Sequence, residues 1–234
     1  MPIAERMTVK PDASPDVAIL DFDGTIVDSM PFLTDVATEL LTSIYGMSPV
    51  EARFAYVRTC GLPFAKQLEM IQPGDRRNQA TARIFERAKQ EHLLEFALFP
   101  DVRQAIAIMR RNGVKVCVSS GNREHLIRKV LDTSAVEVDL VMGFRDGFMK
   151  GRDHFEFASR RFGVPPQRIV FVGDSQQDAL AAGEAGVGFI ARTGLHTYEE
   201  LERLLPGVPI VKSLLEVLPL LGIEAPQEER LESP

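Results

Sequence analysis

Two aspartates separated by one residue follow a short apolar run near the start of the chain. The run covers residues 17–20, and the sequence after it reads Asp21-Phe22-Asp23-Gly24-Thr25. Residues i and i+2 of an extended segment point the same way, so Asp21 and Asp23 present two carboxylates to one site. Neighbouring carboxylates repel each other unless they share a proton or a cation. A hard divalent ion such as Mg²⁺ prefers oxygen ligands, and the segment therefore predicts a metal site.

Two other interpretations of this segment are a solvated Asp-Gly turn and a calcium-binding loop. The calcium loop fails on spacing, because its glycine would have to stand at Ile26 and its closing glutamate at Phe32. The solvated turn stays open from these residues alone. Ligands of doubly wound folds bind beyond the carboxyl ends of the strands, which favours the functional interpretation.

A second acidic motif follows another apolar run, at residues 169–172. It reads Gly173-Asp174-Ser175-Gln176-Gln177-Asp178, so Asp174 holds the same position after its run as Asp21 does. Asp178 stands four residues further on, one helical turn away. Asp174 or Ser175 could instead serve only as the N-cap of the helix that follows. A third carboxylate beside an existing pair favours the metal interpretation.

A polar loop and a single lysine complete the set of candidate residues. The loop Ser119-Ser120-Gly121-Asn122 joins a predicted strand to a predicted helix. Hydroxyls and free backbone N–H groups at a helix start bind anions, although the same residues are also ordinary helix caps. Lys150 lies between a strand and a helix, where a lone lysine is more often an ordinary surface residue.

Strands alternate with helices through most of the chain, and this alternation must position the candidate residues. Short apolar runs predict strands at residues 17–20, 114–118, 138–142, 169–172 and, more weakly, 188–191. Helical periodicity covers residues 101–111, 123–131, 152–162 and 175–185. Such alternation predicts right-handed βαβ units and an α/β fold with a parallel, Rossmann-like sheet. The polar clusters then meet beyond the carboxyl ends of the strands.

Residues 29 to about 98 interrupt this alternation. They predict four helices, at residues 31–45, 49–59, 64–71 and 76–97, separated by glycine and proline turns. A helical unit is therefore inserted between the first and second strands of the sheet. Residues 1–16 are predicted to form a loose leader, and the charged residues from about Ala225 a frayed tail.

The four polar clusters together resemble the haloacid dehalogenase superfamily of phosphotransferases, over about residues 17–192. The nucleophile motif, the phosphate-binding serine, the lysine motif and the metal motif occur in the family's order. They are Asp21-x-Asp23-Gly24-Thr25, Ser119, Lys150 and Gly173-Asp174-Ser175-x-x-Asp178. The inserted helices resemble the alpha-helical C1 cap of relatives of the phosphoglycolate phosphatase and β-phosphoglucomutase type. The resemblance implies an α/β core domain of residues 1–28 and 99–234 and a helical cap domain of residues 29–98.

The resemblance also implies a mechanism. Asp21 is expected to attack phosphorus and form an aspartyl-phosphate, and Asp23 to protonate the leaving oxygen and then activate water. The expected Mg²⁺ ligands are the Asp21 carboxylate, the Asp23 carbonyl and Asp174. Asp178 is expected to orient the water shell of the metal or Lys150 from outside the ligand set. An aspartate at position 23 favours C–O–P cleavage, because a leaving alkoxide needs a proton.

The remaining expected roles concern substrate binding. Lys150 and Ser119 are expected to hold the phosphoryl oxygens, with Ser120 and Gly121 in the same substrate-binding loop. In the cap, Arg58 and Lys66 flank a Gly-x-Pro loop and are predicted to select the substrate. The alternative for Arg58 and Lys66 is that both are solvated charges on a helical surface.

Composition excludes several other classes of protein. The chain has 234 residues, 45% of them hydrophobic and 26% charged, which is ordinary for a globular protein and excludes a disordered chain. Lys+Arg 27 against Asp+Glu 33 gives a net charge of −6, so no nucleic-acid partner is expected. No apolar stretch is long enough for a membrane span. Cys60 and Cys117 match no metal or redox spacing, so a reducing cytoplasm is the predicted location.

The sequence therefore predicts a Mg²⁺-dependent phosphatase that acts on a small phosphorylated metabolite, as a monomer or a homodimer. A sugar phosphomutase shares every motif and is the first alternative. The second is not an enzyme: a signalling receiver domain also carries a phospho-accepting aspartate on a parallel sheet. Receivers are about half this length and place their acidic pair differently.

Overall fold

A computed structural model describes residues 15–224 of the chain. The predicted leader lies outside these residues except for its last two, and the predicted tail from Ala225 lies wholly outside them. Within residues 15–224, six parallel strands form one sheet in the order β3-β2-β1-β4-β5-β6. The strands are β1 (Val17–Asp21), β2 (Lys115–Ser119), β3 (Leu140–Met142), β4 (Ile169–Gly173), β5 (Gly188–Arg192) and β6 (Ile210–Val211).

Ten α-helices accompany the sheet in this part of the chain. Four follow β1 directly: α1 (Met30–Tyr45), α2 (Pro49–Thr59), α3 (Phe64–Ile71) and α4 (Asn78–His92). The others are α5 (Val102–Arg111), α6 (Glu124–Thr133), α7 (Arg152–Phe162), α8 (Gln176–Ala185), α9 (Tyr198–Leu204) and α10 (Val217–Leu220). Among the described residues, no helix is both long and apolar enough to cross a lipid bilayer.

The side chains of β1 alternate between the two faces of the sheet, and all are buried. Ala18 and Leu20 belong to a cluster with residues of α5, α6 and α10. Val17 and Ile19 belong to a second cluster with residues of α7, α8 and α9. Both faces of the sheet are therefore covered by helices, which explains why the strands read as continuous apolar runs. The predicted α/β fold with a parallel, Rossmann-like sheet is confirmed.

Helices α1 to α4 have a hydrophobic core of their own. Leu33, Tyr56, Phe64, Leu68 and Phe85 are among its buried members, and the rings of Phe64 and Phe85 stack with centroids 4.1 Å apart. Local signals set the ends of these helices. Gly46, with φ of 73°, ends α1, and a capping box between Ser48 and Glu51 begins α2.

The last helix of the insertion is shorter than predicted. The sequence predicts a helix to residue 97, but α4 ends at His92 because the chain turns back toward the sheet. Leu93 is buried in a core cluster beside the sheet. The prediction also missed β6 and the short helices after β5, whose apolar runs are only a few residues long.

Two adjoining backbone segments link the inserted helices to the sheet. The N–H of Asp28 donates to the carbonyl of Ala97 at 2.9 Å, and the N–H of Phe99 donates to the carbonyl of Ile26 at 3.1 Å. The two segments that connect the inserted helices to the sheet therefore lie side by side, at residues 26–28 and 97–99. We propose that they mark the boundary between a core domain and the cap domain, residues 29–98, at the positions the sequence predicts.

Candidate active site

Three acidic residues meet beyond the carboxyl ends of β1 and β4. Asp21 is the last residue of β1, Asp174 follows the last residue of β4, and Asp178 lies in the first turn of α8. Each is only 3% exposed. One carboxylate oxygen from each residue lies within 4.8 Å of the other two. We call Asp21, Asp174 and Asp178 the three-carboxylate cluster.

Lys150 supplies the positive charge next to this cluster. It lies in the turn before α7, and its Nζ is 2.7 Å from Asp21 Oδ1 and 2.7 Å from Asp178 Oδ1. Burial disfavours the charged lysine, but Asp178 and Asp21 outweigh burial and raise the pKa of Lys150. Lys150 is therefore a fixed cation between two carboxylates, not a surface residue.

One lysine does not balance three buried carboxylates. The pKa of Asp21 is raised to about 7, mainly by burial; Lys150 opposes the rise, and Asp178 adds to it. Burial also raises the pKa of Asp174, and the charge of Asp21 adds to the rise. The cluster thus has a surplus of negative charge that a proton or a cation would neutralise.

The cluster fits a Mg²⁺ ion. Asp174 Oδ2 is buried and has no hydrogen-bond partner within residues 15–224, so a carboxylate oxygen is available to bind a cation. Gly24 leaves room beside it: the glycine has φ of 75°, and a Cβ there would lie 2.0 Å from Asp174 Oδ2. An all-oxygen donor set is the kind that Mg²⁺ prefers. This fit explains why a glycine follows the second aspartate of the first motif.

The carboxylate of Asp23 has a different environment. Its Oδ1 accepts a hydrogen bond from Ser29 Oγ at 2.8 Å. Its Oδ2 accepts from Lys89 Nζ at 2.7 Å and from Asn122 Nδ2 at 2.9 Å. Burial raises the pKa of Asp23, but Lys89 and Ser29 outweigh burial and lower it. Lys89 comes from α4, so the cap contacts the predicted acid–base residue directly.

The structure brings some of the predicted metal ligands together. The carboxylates of Asp21 and Asp174 lie together as predicted, but the third acid of the cluster is Asp178. The side chain of Asp23 is engaged by its three donors. The ligand role that the resemblance gives to the Asp23 carbonyl, and the outer role it gives to Asp178, stay predictions.

The predicted phosphate-binding loop lies at the end of β2, beside Asp21. Ser119 pairs with Asp21 in the register of β1 and β2, and its Oγ lies 2.9 Å from His154 Nδ1. Ser120 Oγ accepts hydrogen bonds from the backbone N–H and from Nδ2 of Asn122, each at 3.1 Å. Gly121 is exposed at the tip of the loop. The loop therefore borders the cluster and orients the amide that reaches Asp23.

Arg58 lines a cavity of about 370 Å³ between the cap and the core. Phe54, Val57 and Cys60 line its cap side, and Gln176, His196 and Arg203 are among the residues on its core side. Gln176 stands two residues after Asp174, so the cavity lies next to the second acidic motif. Lys66 is exposed on α3 and does not line the cavity. The substrate-binding roles of Arg58 and Lys66 stay predictions.

Four residues that contact the site were missed as site residues in the sequence. Ser29 and Lys89 bind Asp23, Asn122 bridges Ser120 and Asp23, and His154 contacts Ser119. Asn122 had a local signal, because it ends the polar loop after β2. Ser29, Lys89 and His154 had none: each is one polar residue next to or within a helical pattern.

The parallel sheet and the buried acidic cluster beyond its strands define the class of the protein as α/β. Comparison with known families agrees. The model of the haloacid dehalogenase-like hydrolase family matches residues 15–186, and the chain belongs to this family. The superfamily predicted from the motifs is confirmed.

Relatives of this chain carry phosphatase names. The probable phosphatase IndB of Dickeya dadantii (strain 3937) is 29% identical over 215 residues, covering 86% of this chain and 91% of that protein. Phosphoglycolate phosphatase 1 of Pseudomonas aeruginosa is 27% identical over 228 residues, covering 88% of this chain and 79% of that protein. A hydrolase from Pseudomonas syringae has a similar solved structure, with a TM-score of 0.73 at 18% identity, covering 89% of this chain and 98% of the other. This last similarity shows the fold alone.

Proposed function

We propose that this protein is a Mg²⁺-dependent phosphatase that hydrolyses a small phosphorylated metabolite through an aspartyl-phosphate on Asp21. The chain is a hydrolase of the haloacid dehalogenase-like family, and the names of its relatives support phosphatase activity. One observation carries the mechanism: Asp21 lies between Lys150 and two further carboxylates, while Asp23, two residues on, has its own separate set of donors.

The two aspartates divide the chemistry between them. A carboxylate oxygen of Asp21 attacks phosphorus, and the bond between phosphorus and the leaving oxygen breaks as the new P–O bond forms. Asp23 is a carboxylate in the free protein, because Lys89 and Ser29 outweigh burial and lower its pKa, so it takes up a proton from solvent as the substrate binds and then gives that proton to the leaving alkoxide. In the second step Asp23 takes a proton from the water that hydrolyses the aspartyl-phosphate and releases it to solvent, so both carboxylates are regenerated.

Three groups beyond β1 and β2 hold the phosphoryl oxygens. The Lys150 ammonium, already 2.7 Å from Asp21, stabilises the charge that gathers on them. The hydroxyl of Ser119 and the backbone N–H of Gly121 donate hydrogen bonds from the other side, while Ser120 anchors the loop by donating its own N–H to the carbonyl of Met142 at 3.0 Å. The loop also fixes Asn122, which keeps Asp23 turned toward the leaving oxygen.

The three-carboxylate cluster supports binding of Mg²⁺. Asp21 and Asp174 would hold the ion, together with the carbonyl of Asp23, and Asp178 would hold Lys150 in place through its 2.7 Å contact. When bound, the ion would neutralise the negative charge that the phosphoryl group brings next to the three carboxylates.

The cap supports selection of the substrate and exclusion of water. Its Lys89 reaches Asp23, and its loop approaches the second acidic motif so closely that a Cβ at Gly61 would lie 2.3 Å from Ser175 Oγ. Arg58 lines the cavity at this contact between the domains and is placed to bind an anionic group of the substrate. The relatives named phosphoglycolate phosphatase make a phosphorylated carboxylic acid the first substrate to test. The cytoplasmic location stays a prediction.

A screen of phosphorylated metabolites at fixed Mg²⁺ tests this function. Release of phosphate by the wild-type chain is expected on a small set of substrates and on p-nitrophenyl phosphate. The Asp21→Asn variant, prepared in the same way, controls for contaminating phosphatases. The proposal is wrong if the wild type releases no phosphate, or if the variant releases as much.

The same screen separates the alternatives. A phosphomutase would convert hexose phosphates into isomers and lose little phosphate to water. A receiver domain would accept one phosphoryl group and not turn over. The strand order supports an enzyme over a receiver, because receivers of the flavodoxin-like type have the order 2-1-3-4-5.

A further inference from the structure

His154 is a buried histidine that contacts the predicted phosphate-binding serine. It lies in the first turn of α7, and its side chain is fully buried. Its Nδ1 is 2.9 Å from Ser119 Oγ, whereas its Nε2 is buried and has no hydrogen-bond partner among the residues that the structure describes. The ring of Phe148 packs against it with centroids 4.5 Å apart. Within residues 15–224, the hydrogen bond that the imidazole makes is therefore the one with Ser119.

The direction of this hydrogen bond decides what Ser119 can do. A serine hydroxyl has one proton to donate. If Ser119 donates that proton to Nδ1, none is left for a phosphoryl oxygen. If Nδ1 carries the ring proton and donates to Ser119 Oγ, the hydroxyl proton is free to point at the phosphoryl group.

The surroundings of the ring favour the second arrangement. Burial and the nearby Lys150 lower the pKa of His154 to about 4, so the imidazole is neutral near pH 7 and has one ring proton. The carbonyl of Gly143 raises the pKa as a lesser cause, but Nε2 makes no hydrogen bond to it. A proton on Nδ1 thus has an acceptor in Ser119, whereas a proton on Nε2 would be buried without one.

We propose that His154 is a positioning residue that donates from Nδ1 to Ser119 and so directs the serine hydroxyl toward the phosphoryl group. This inference rests on the proposed function, because it takes Ser119 as a ligand of that group. It also gives a reason for the spacing of four residues between Lys150 and His154. One helix start then fixes both the lysine and the serine that hold the phosphoryl oxygens.

Nitrogen-15 NMR of the histidine rings tests the direction of the bond without any turnover. The signals of His154 are identified by their loss in His154→Phe. We expect the tautomer with the proton on Nδ1 near pH 7. A ring proton on Nε2 would overturn the proposal, because Ser119 would then be the donor.

A double-mutant cycle tests the consequence for phosphate binding. The four proteins are the wild type, Ser119→Ala, His154→Phe and the double variant, each measured for inorganic phosphate binding by calorimetry and for kcat/KM on p-nitrophenyl phosphate. Each single variant is expected to weaken both quantities roughly 10-fold, the scale of one hydrogen bond to a charged group. The double variant is expected to be no worse than Ser119→Ala, because His154 acts through the hydroxyl.

Two controls separate positioning from general damage to the fold. His125→Phe makes the same substitution at an exposed position of α6 and is expected to change nothing. His154→Asn keeps an amide donor near the position of Nδ1 and is expected to recover part of the loss. The contrary outcome is that adding His154→Phe to Ser119→Ala weakens phosphate binding and kcat/KM as strongly as adding it to the wild type does. In that case the histidine does not act through Ser119, and the proposal is wrong. Failure of the proposed function would appear separately, as a wild type that binds phosphate but hydrolyses nothing.

Discussion

The edge of the sheet and the cap contribute to the site in different ways. At the edge of the sheet, Asp21 and Asp174 stand at or next to the last residues of strands that are hydrogen-bonded side by side. In the cap, Lys89 reaches Asp23 from a helix 66 residues further along the chain. The positions of the first two are fixed by strand register, and the position of Lys89 depends on how two hydrophobic cores sit against each other.

This difference suggests that the edge of the sheet and the cap have different roles. Groups fixed by the sheet keep their geometry as long as the fold persists, which suits the nucleophile and the metal ligands. Groups carried by the cap can leave and return with it, which suits exclusion of water and choice of substrate. Substitutions at the sheet should therefore remove all activity, and substitutions in the cap should reduce it or change its selectivity.

The largest effect is expected from Asp21→Asn. The amide keeps the shape of the side chain but cannot attack phosphorus. Turnover should fall on the order of 10⁶-fold, the scale at which other hydrolases lose activity without their nucleophile. Circular dichroism should show an intact fold. Activity above a few per cent of wild type would mean that the nucleophile lies elsewhere.

Removal of the metal is expected to have the next largest effect. EDTA should inactivate the protein and Mg²⁺ should restore it, while Ca²⁺ should fail or inhibit, because it takes more ligands at longer distances than Mg²⁺. Full phosphatase activity in excess EDTA would show that the reaction needs no metal ion at the edge of the sheet.

Lys89→Met should reduce activity on every substrate. Without the ammonium, Asp23 loses one of its three donors and the cap loses its contact with the acid–base residue. We expect kcat to fall roughly 100-fold, the lower end of what general acid–base catalysis contributes. Lys89→Arg keeps the positive charge and should retain more activity than Lys89→Met. Equal losses in both variants would show that the charge is not what Asp23 requires.

Arg58→Ala should reduce selectivity and leave the basic chemistry in place. If Arg58 binds the end of the substrate that does not react, kcat/KM for the native metabolite should fall roughly 10- to 150-fold, the value of one charge-assisted hydrogen bond. Hydrolysis of p-nitrophenyl phosphate should be nearly unchanged. Lys66→Ala tests the same role at a position outside the cavity. A variant that loses both activities equally supports the fold or the chemistry instead of selecting the substrate.

The smallest effect is expected in the pH dependence of stability. The pKa of His154 is lowered from 6.5 to about 4. Between these pH values the unfolded chain therefore binds a proton on this histidine, and the folded chain does not. The free energy of unfolding should therefore fall as the pH drops from about 6.5 to about 4, by roughly 3 kcal/mol from this group. Urea unfolding of the wild type and of His154→Phe at several pH values measures the difference. Parallel pH profiles of the two proteins would contradict the shift.

Much of the fold followed from local patterns. A buried parallel strand must be apolar on both faces, so the runs that became β1, β2, β4 and β5 were visible as continuous apolar segments. The end of α4 was not visible, because residues 93–97 continue a helical pattern while Leu93 packs back toward the sheet. The short strand β3 begins two residues later than predicted, because the ladder with β2 starts at Leu140 and leaves out Val138 and Asp139.

The sequence by itself determined where the carboxylates stand, because an aspartate after a buried strand is placed by its own few neighbours and by the register of the sheet. Only the tertiary structure decided which side chains meet them. The contacts of Lys89 with Asp23 and of His154 with Ser119 both depend on how helices pack against the sheet or against each other. The physical reason is the distance along the chain between the residues that set each contact. A turn is set by a few consecutive residues, whereas a contact across 66 residues is set by the packing of two cores, which no periodicity in the sequence encodes.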